Sequence, residues 1–499
     1  MNQIKVGAAL SYAAVIFNTA AGLLYTPWMV SCIGADDYGL YTLALSVINF
    51  FLLDFGLSDS VSRFLSKYYA EGCEDLVSGF LGMTYKLYLA ITAVIAVALV
   101  VVFFNIDAIY TGLTAEQLPV FRVLFVVISL YSVVSFPFTP LNGVLISNER
   151  FVALNACNLI QKIVTVGLIV VALLLDWGVY ALVVVNAFVS VVMTVCKLVI
   201  VRVRTEAQAD FSYWRADQAK ELVGFSAWVT VTQVCSRLIF AVMPSIIAMT
   251  ADTAEVALFG LASSLEGYVY TVASALNGMF MPKVSRSLAG ADEGLQRMMT
   301  RVGRIQLYIV GFIFVCFAAL GGRFSACWMG PGYDALWPCA LLLILPSVVE
   351  LPQLIGVTAI TASGNVRARG LVYVGTALIN MALGVVLTRF VGALGACVSI
   401  CVAYFFRTFG ENVIYRSRLG IRLGAFFRET FGRWTVAGAV TLAVGFFASW
   451  AMPVSGWTGF IACVIVELAA YALLLRAFVI NGYEKDLISG VFAVIPRRK

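Results

Sequence analysis

The chain has 499 residues, of which 62% are hydrophobic and 12% charged, with a formal net charge of +6. Soluble domains carry about 25% charged residues, so water is excluded as the main solvent for most of this chain. Histidine is absent, which removes His-based triads, His general bases and nearly all zinc chemistry. No metal site, no enzymatic role and no nucleic-acid partner is expected.

Apolar runs of about 20 residues or more recur from end to end, the length a helix needs to cross hydrocarbon. Strands of an outer-membrane barrel would alternate over about ten residues instead. The expected fold is all-α and polytopic, with about 14 spans. In chain order these are 8–32, 38–65, 76–104, 118–146, 151–175 and 179–201. After a longer polar connection come 222–249, 256–281, 302–320, 336–362, 370–390, 393–414, 434–452 and 459–480. The first run follows a lone Lys5 and lacks a short apolar core with a cleavage site, so it reads as a span and not a signal peptide. Most of the eleven cysteines lie inside apolar segments, where they act as small hydrophobes. Cys327 and Cys339 flank an expected external loop, with no framework pattern around them. Pro137, Pro140, Pro346 and Pro352 fall within spans and remove backbone hydrogen bonds there.

Lysine and arginine accumulate on cytoplasmic segments. With the N-terminus inside, about 27 of the 33 fall on that side. They include Lys283, Arg286, Arg297 and Arg301 after the eighth span and Arg416, Arg418, Arg422, Arg428 and Arg433 after the twelfth. Both termini are therefore expected to be cytoplasmic. The loop around 202–221 divides the chain into an N-terminal six-helix lobe (1–205), a cytoplasmic linker (206–221), a C-terminal six-helix lobe (222–415) and an additional helix pair with a tail (416–499).

The halves look weakly related. Residues 11–46 hold a span with Pro27, the turn Gly34-Ala35-Asp36-Asp37, and a second span entered through Leu40-Tyr41-Thr42-Leu43-Ala44. Residues 226–263 hold a span with Pro244, the turn Thr250-Ala251-Asp252, and a second span entered through Leu258-Phe259-Gly260-Leu261-Ala262. Both copies start inside, as in a parallel repeat about an axis along the membrane normal. Two such pseudo-symmetric bundles would enclose a central cavity.

An ionisable side chain near the bilayer centre costs at least about 2.5–3.5 kcal/mol, so it normally faces protein or water. Asn155, Asn158 and Lys162 share one face of the fifth span, and Thr230, Gln233 and Arg237 share one face of the seventh. These stripes suit a hydrated lumen that accepts an anion, since arginine binds phosphate bidentately. A buried ion pair, such as Arg237 with Glu266, is the plainer alternative. Lys86 and Arg407 are further lumenal candidates. Asp54, Glu266 and Glu350 could carry a coupling proton or sodium ion, or neutralise the embedded cations.

Residues 26–72 resemble the first two spans of bacterial Wzx-type oligosaccharide flippases, in the multidrug/oligosaccharidyl-lipid/polysaccharide exporter superfamily. The resemblance rests on Gly34, Tyr38 and Gly39 in a Gly-x-x-x-Tyr-Gly turn and on Asp54-Phe55-Gly56-Leu57, where the family has Asp-Leu-Gly-Leu. It implies an alternating-access transporter of the bacterial inner membrane, without a cofactor. Its cargo would be undecaprenyl-diphosphate-linked oligosaccharide, taken from the cytoplasmic to the periplasmic leaflet. Membrane lipids and glycan polymerase or assembly proteins are the implied partners. The alternatives are a cation-coupled multidrug antiporter or a lipid II flippase of the same superfamily. A membrane-bound glycan polymerase or ligase fits poorly, because the external loops are short.

Overall fold

The computed structural model describes residues 3–51, 57–72, 74–205, 208–274, 294–363, 365–452, 454, 456–482 and 484. Their long segments are helical, as hydrocarbon requires, because a helix satisfies its backbone polar groups within one segment. Among the described residues, 11 helices are long and apolar enough to span a membrane. Leu24, Phe104, Phe390 and Trp450 are 78–80% exposed on their surfaces, an arrangement that lipid favours and water penalises.

The helix Val366–Arg418 has 53 residues, about 80 Å at 1.5 Å per residue. That is more than twice the hydrocarbon thickness of about 30 Å. Its backbone leaves helical geometry at Val391 and Gly392, the position of the expected turn, so it holds two spans. The second and eighth expected spans fall on 35–51 with 57–70 and on 253–274, each bordered by residues outside those described. With these, every expected span has a helical counterpart.

The chain forms two compact units. The first takes Met1–Ser264 with Val366–Arg407. It contains α1 (Gln3–Ile33), α2 (Ala35–Phe51), α3 (Leu57–Ala70), α4 (Glu74–Phe104), α5 (Ile106–Ile109), α6 (Gln117–Ser135), α7 (Pro140–Ser147), α8 (Phe151–Leu174), α9 (Gly178–Arg204), α10 (Ala216–Ala241), α11 (Met243–Thr250) and most of α12 (Thr253–Ser274). Helix α1 lies along α8, α8 along α9, and α6 against both α2 and α9. Pro137 opens a 3-10 turn between α6 and α7, and Pro244 begins α11 where α10 ends. Each lacks the N–H that would continue the preceding helix.

The connection before α10 is docked. The Tyr213 ring covers Gly79 of α4, the Asp210 carbonyl sits over Gly82, and the Asp210 N–H donates to the Ser78 carbonyl at 2.9 Å. Ser212 donates to the Asp210 carboxylate through its N–H and hydroxyl, which holds that carboxyl below its ordinary range. Helix α10 already begins at Ala216, earlier than the hydropathy boundary at 222.

Two repeat-related helices meet at one end of this unit. Gly34 takes φ of +85° to turn α1 into α2, a conformation glycine adopts without a Cβ penalty. Gly39 then faces the Thr253 backbone so closely that a Cβ would stand 2.0 Å from its carbonyl oxygen. Gly260 of α12 lies against the Thr42 side chain of α2 in the same manner. The Thr253 hydroxyl donates to Asp36 Oδ1, and Gln117 Nε2 donates to the Thr253 hydroxyl at 2.8 Å.

The second unit takes Leu265–Asn365 with Thr408–Lys499. Its helices are α13 (Gly294–Trp328), α14 (Leu336–Glu350), α15 (Leu354–Ala362), the end of α16 (Val366–Arg418), α17 (Leu423–Ala451) and α18 (Gly456–Leu474). Helix α13 packs against α14, α17 and α18 around Leu307, Val310, Leu351, Trp434 and Tyr471. Gly311 admits the Trp434 ring, whose Nε1 donates to Tyr471 Oη at 2.8 Å. Buried Arg304 donates to Glu484 and to the Glu429 and Val479 carbonyls at 2.6–3.1 Å. Burial opposes ionisation of Glu484, but the hydrogen bonds and charge of Arg304 outweigh it and hold this carboxyl below its ordinary range. Pro346 lies inside α14 and Pro352 in the 3-10 turn before α15. Cys327 and Cys339 are free thiols.

The contact at Gly39 yields a stability prediction. Gly39→Val should cost about 1–3 kcal/mol through overpacking. Gly167→Ala, where nothing lies within 4 Å, should be neutral or slightly stabilising. Thermal unfolding of the detergent-solubilised protein compares them, and equal melting temperatures would refute the close contact.

Candidate functional site

A cavity of about 500 Å³ begins at the α2–α12 contact and runs toward the Asn49 end of α2. It is walled by α2, α10, α11 and α12. Tyr41 and Phe259, Thr42 and Gly260, Leu45 and Ser263, and Ser46 and Ser264 all line it. Tyr41 with Phe259 and Thr42 with Gly260 are positions that the sequence repeat pairs, and the other two couples follow them along the same helices. Contact between equivalent positions is what an approximate two-fold axis produces. Here both copies run in the same direction, so the axis follows the membrane normal.

Helix α10 supplies the charge. Gln233 and Arg237, one turn apart on a single face, are exposed and line the cavity with Ser236 and Phe240. Arg237 makes no salt bridge among the described residues, so its guanidinium presents a fixed charge with several donors. Around it stand the hydroxyls of Ser46, Ser236, Ser263 and Ser264 and the amide of Asn49. Tyr41 accepts a hydrogen bond from Asn186 at 3.4 Å. The wall is largely polar, and a cation among hydroxyls suits an anion.

The family-motif positions gain physical roles. Tyr38 is buried and lines the cavity, while Gly34 and Gly39 make the turn and the close approach above it. Asp54 and Gly56 lie outside the described residues, and Leu57 opens α3.

The expectation that Lys162 and Arg237 line one chamber is not met in this cavity. Lys162 is exposed on α8 and is not part of its wall. The period of a stripe shows which residues share a face and leaves the direction of that face open. Asn155 is half-buried and Asn158 exposed on α8. Asn158 and Asn142 accept hydrogen bonds from Lys197 at 3.0 and 3.1 Å. Lys197 of α9 lines a second polar cavity of about 230 Å³ with Gln161, Ser190 and Thr194, a cation inside the expected span 179–201 that the sequence analysis does not single out. Lys86 donates to the Tyr213 carbonyl at 3.4 Å and thereby secures the docked connection. Arg407 is buried, 3.7 Å from the Tyr404 ring centroid and 5.3 Å from that of Tyr373. Glu266 and Glu350, both buried, belong to the second unit.

The cavity is closed at its Asp36 end, which makes access directional. In a chain stripped of its own cysteines, Asn49→Cys and Ser264→Cys should react with an impermeant thiol reagent added on the basic side and resist it from the Asp36 side. The reverse pattern would contradict the closure.

A family model described as polysaccharide biosynthesis protein matches residues 32–334. No curated protein matches the sequence. Among solved structures, a lipid II flippase MurJ in an inward closed conformation superposes with a TM-score of 0.75 at 11% identity, covering 96% of this chain and all of that one. An inward-facing multidrug resistance MATE family transporter of the MOP superfamily gives 0.67 at 12% identity, covering 83% of this chain and 98% of its own. The Vibrio cholerae MATE transporter VcmN in its bent form gives 0.51 at 13% identity, covering 84% and 100%. At such identities the likeness establishes the fold, which has 12–14 membrane helices in two lobes.

Proposed function

Because the chain belongs to the polysaccharide biosynthesis protein family, a family of transporters and not of enzymes, we propose that it flips undecaprenyl-diphosphate-linked oligosaccharide from the cytoplasmic to the periplasmic leaflet by alternating access. The observation that carries this reading is Arg237 in a hydroxyl-rich cavity between repeat-related helices, closed at one end. A diphosphate cannot cross hydrocarbon unaided, since desolvating an unpaired charge is prohibitive. In the cavity Arg237 accepts it bidentately, the hydroxyls meet the sugar, and the polyprenyl chain stays in lipid. The volume of about 500 Å³ lies within the range of about 300–1,000 Å³ found for ligand clefts.

In this reading the lobes 1–205 and 222–415, joined by 206–221, rock about the cavity, and 416–499 lies at the periphery. The Asp36–Thr253 contact is the closed periplasmic gate. The distribution of lysine and arginine sets both termini in the cytoplasm, and the membrane is the bacterial inner membrane. Of the coupling candidates Asp54, Glu266 and Glu350, the two glutamates are described and buried, as carboxylates that couple to a proton or sodium gradient would be. A multidrug antiporter is less favoured, because the exporter structures cover 83–84% of the chain and the flippase structure 96%.

Arg237→Ala should reduce translocation about 10- to 100-fold, the loss of one charge-assisted hydrogen-bonding group of about 1.5–3 kcal/mol. Arg237→Lys should retain part of it. The readouts are lipid-linked repeat units accumulating in the inner leaflet and the amount of protein inserted. Normal surface glycan from the alanine variant would reject the diphosphate role.

A further inference from the structure

The second unit holds a larger cavity, of about 940 Å³, between the starts of α13 and α17. Arg297, Arg301 and Arg304 reach it from α13, at spacings that share one helical face. Arg422, Arg428 and Arg433 reach it from the opposite side. Arg304 forms the floor and is already bonded to Glu484 and two carbonyls. The other five arginines are exposed, and among the described lining residues Glu429 is the only carboxylate. Gln296 offers a further donor. Its Oε1 accepts the Arg422 N–H at 2.9 Å, while its Nε2 is buried without a hydrogen-bond partner.

Five exposed guanidinium groups around one cavity produce a positive field that draws an anion to it. The depth of the cavity indicates which anion. Its arginines lie on the first turns of two membrane-spanning helices, and in α17 the wall ends at Arg433, directly before Trp434 enters the apolar core. This is the headgroup level of the basic leaflet, where arginine pockets between helices meet lipid phosphates. Guanidinium forks match phosphate oxygens in pairs.

We infer that this cavity is a phosphate-binding site, occupied by the phosphate of an anionic lipid headgroup in the basic-side leaflet. It is separate from the Arg237 cavity and does not depend on what that cavity carries.

The test uses the full chain in nanodiscs of phosphatidylcholine alone, or of a roughly two-to-one mixture with phosphatidylglycerol, a lipid that lysine and arginine attract. The anionic lipid should raise the thermal midpoint of the wild type. Native mass spectrometry should show phosphatidylglycerol retained with an affinity at least about tenfold above that of an R428Q/R433Q variant. Gly432→Glu places a carboxylate at a cavity-lining position with nothing within 4 Å. It should abolish the effect without removing any arginine, and so serves if the double variant folds poorly. Arg237→Ala should keep the full effect. If inorganic phosphate in phosphatidylcholine discs reproduces the shift and the cavity variants lose it, the site stands and its ligand is free phosphate. Equal phosphatidylglycerol retention by wild type, R428Q/R433Q and Gly432→Glu would overturn it.

Discussion

The backbone contact between α2 and α12 is the constraint on which the first unit depends. Gly39 and Gly260 have no Cβ, so the Thr253 carbonyl and the Thr42 side chain enter space that any other residue would fill. Asp36, Gln117 and Thr253 tie the same end together by hydrogen bonds. The two helices diverge from this point, and the divergence is the cavity. The contact joins positions equivalent in the repeat, so closing it and opening it are motions of one copy against the other. A transporter needs such an element: packed contacts of this kind have two arrangements and not a continuum.

Hydrocarbon as solvent explains the rest of the architecture. Three cations embedded in the spans are held by three different devices. Arg407 is covered by the rings of Tyr404 and Tyr373, an attraction that strengthens on desolvation. Arg304 spends its donors on a carboxylate and two carbonyls. Lys197 is held by two asparagines. Arg237 stands apart because its surroundings are a cavity wall of hydroxyls and amides.

How much of this was legible in the sequence follows from what periodicity and composition can carry. Hydropathy placed the spans and even the break at Val391–Gly392, because a helix cannot remain in hydrocarbon for twice its thickness. Of the four span prolines, those at 137, 140 and 352 lie at real interruptions for a local reason, the missing N–H, whereas Pro346 lies inside a continuous helix. The Gly34, Tyr38 and Gly39 motif was visible, but its purpose was not. Glycine at a close approach is defined by a neighbour more than two hundred residues away in sequence. The same limit applies to Lys162, which shares a helix face with Asn155 and Asn158 and is not among the described residues that line the Arg237 cavity. Arginines 297, 301, 422, 428 and 433 read as an orientation signal, since nothing local shows two helix starts converging on one space.

The central claim is that transport requires α2 and α12 to part where they now touch. A Cβ on Gly260 would lie 3.3 Å from the Thr42 Cβ, close to the separation of about 3.5–4.5 Å that a disulfide spans. A T42C/G260C chain, with its other cysteines removed, can therefore be locked by oxidation and released by reduction while translocation of lipid-linked oligosaccharide is followed in vesicles. The account predicts that oxidation stops translocation and reduction restores it. Full translocation by the cross-linked protein would contradict it.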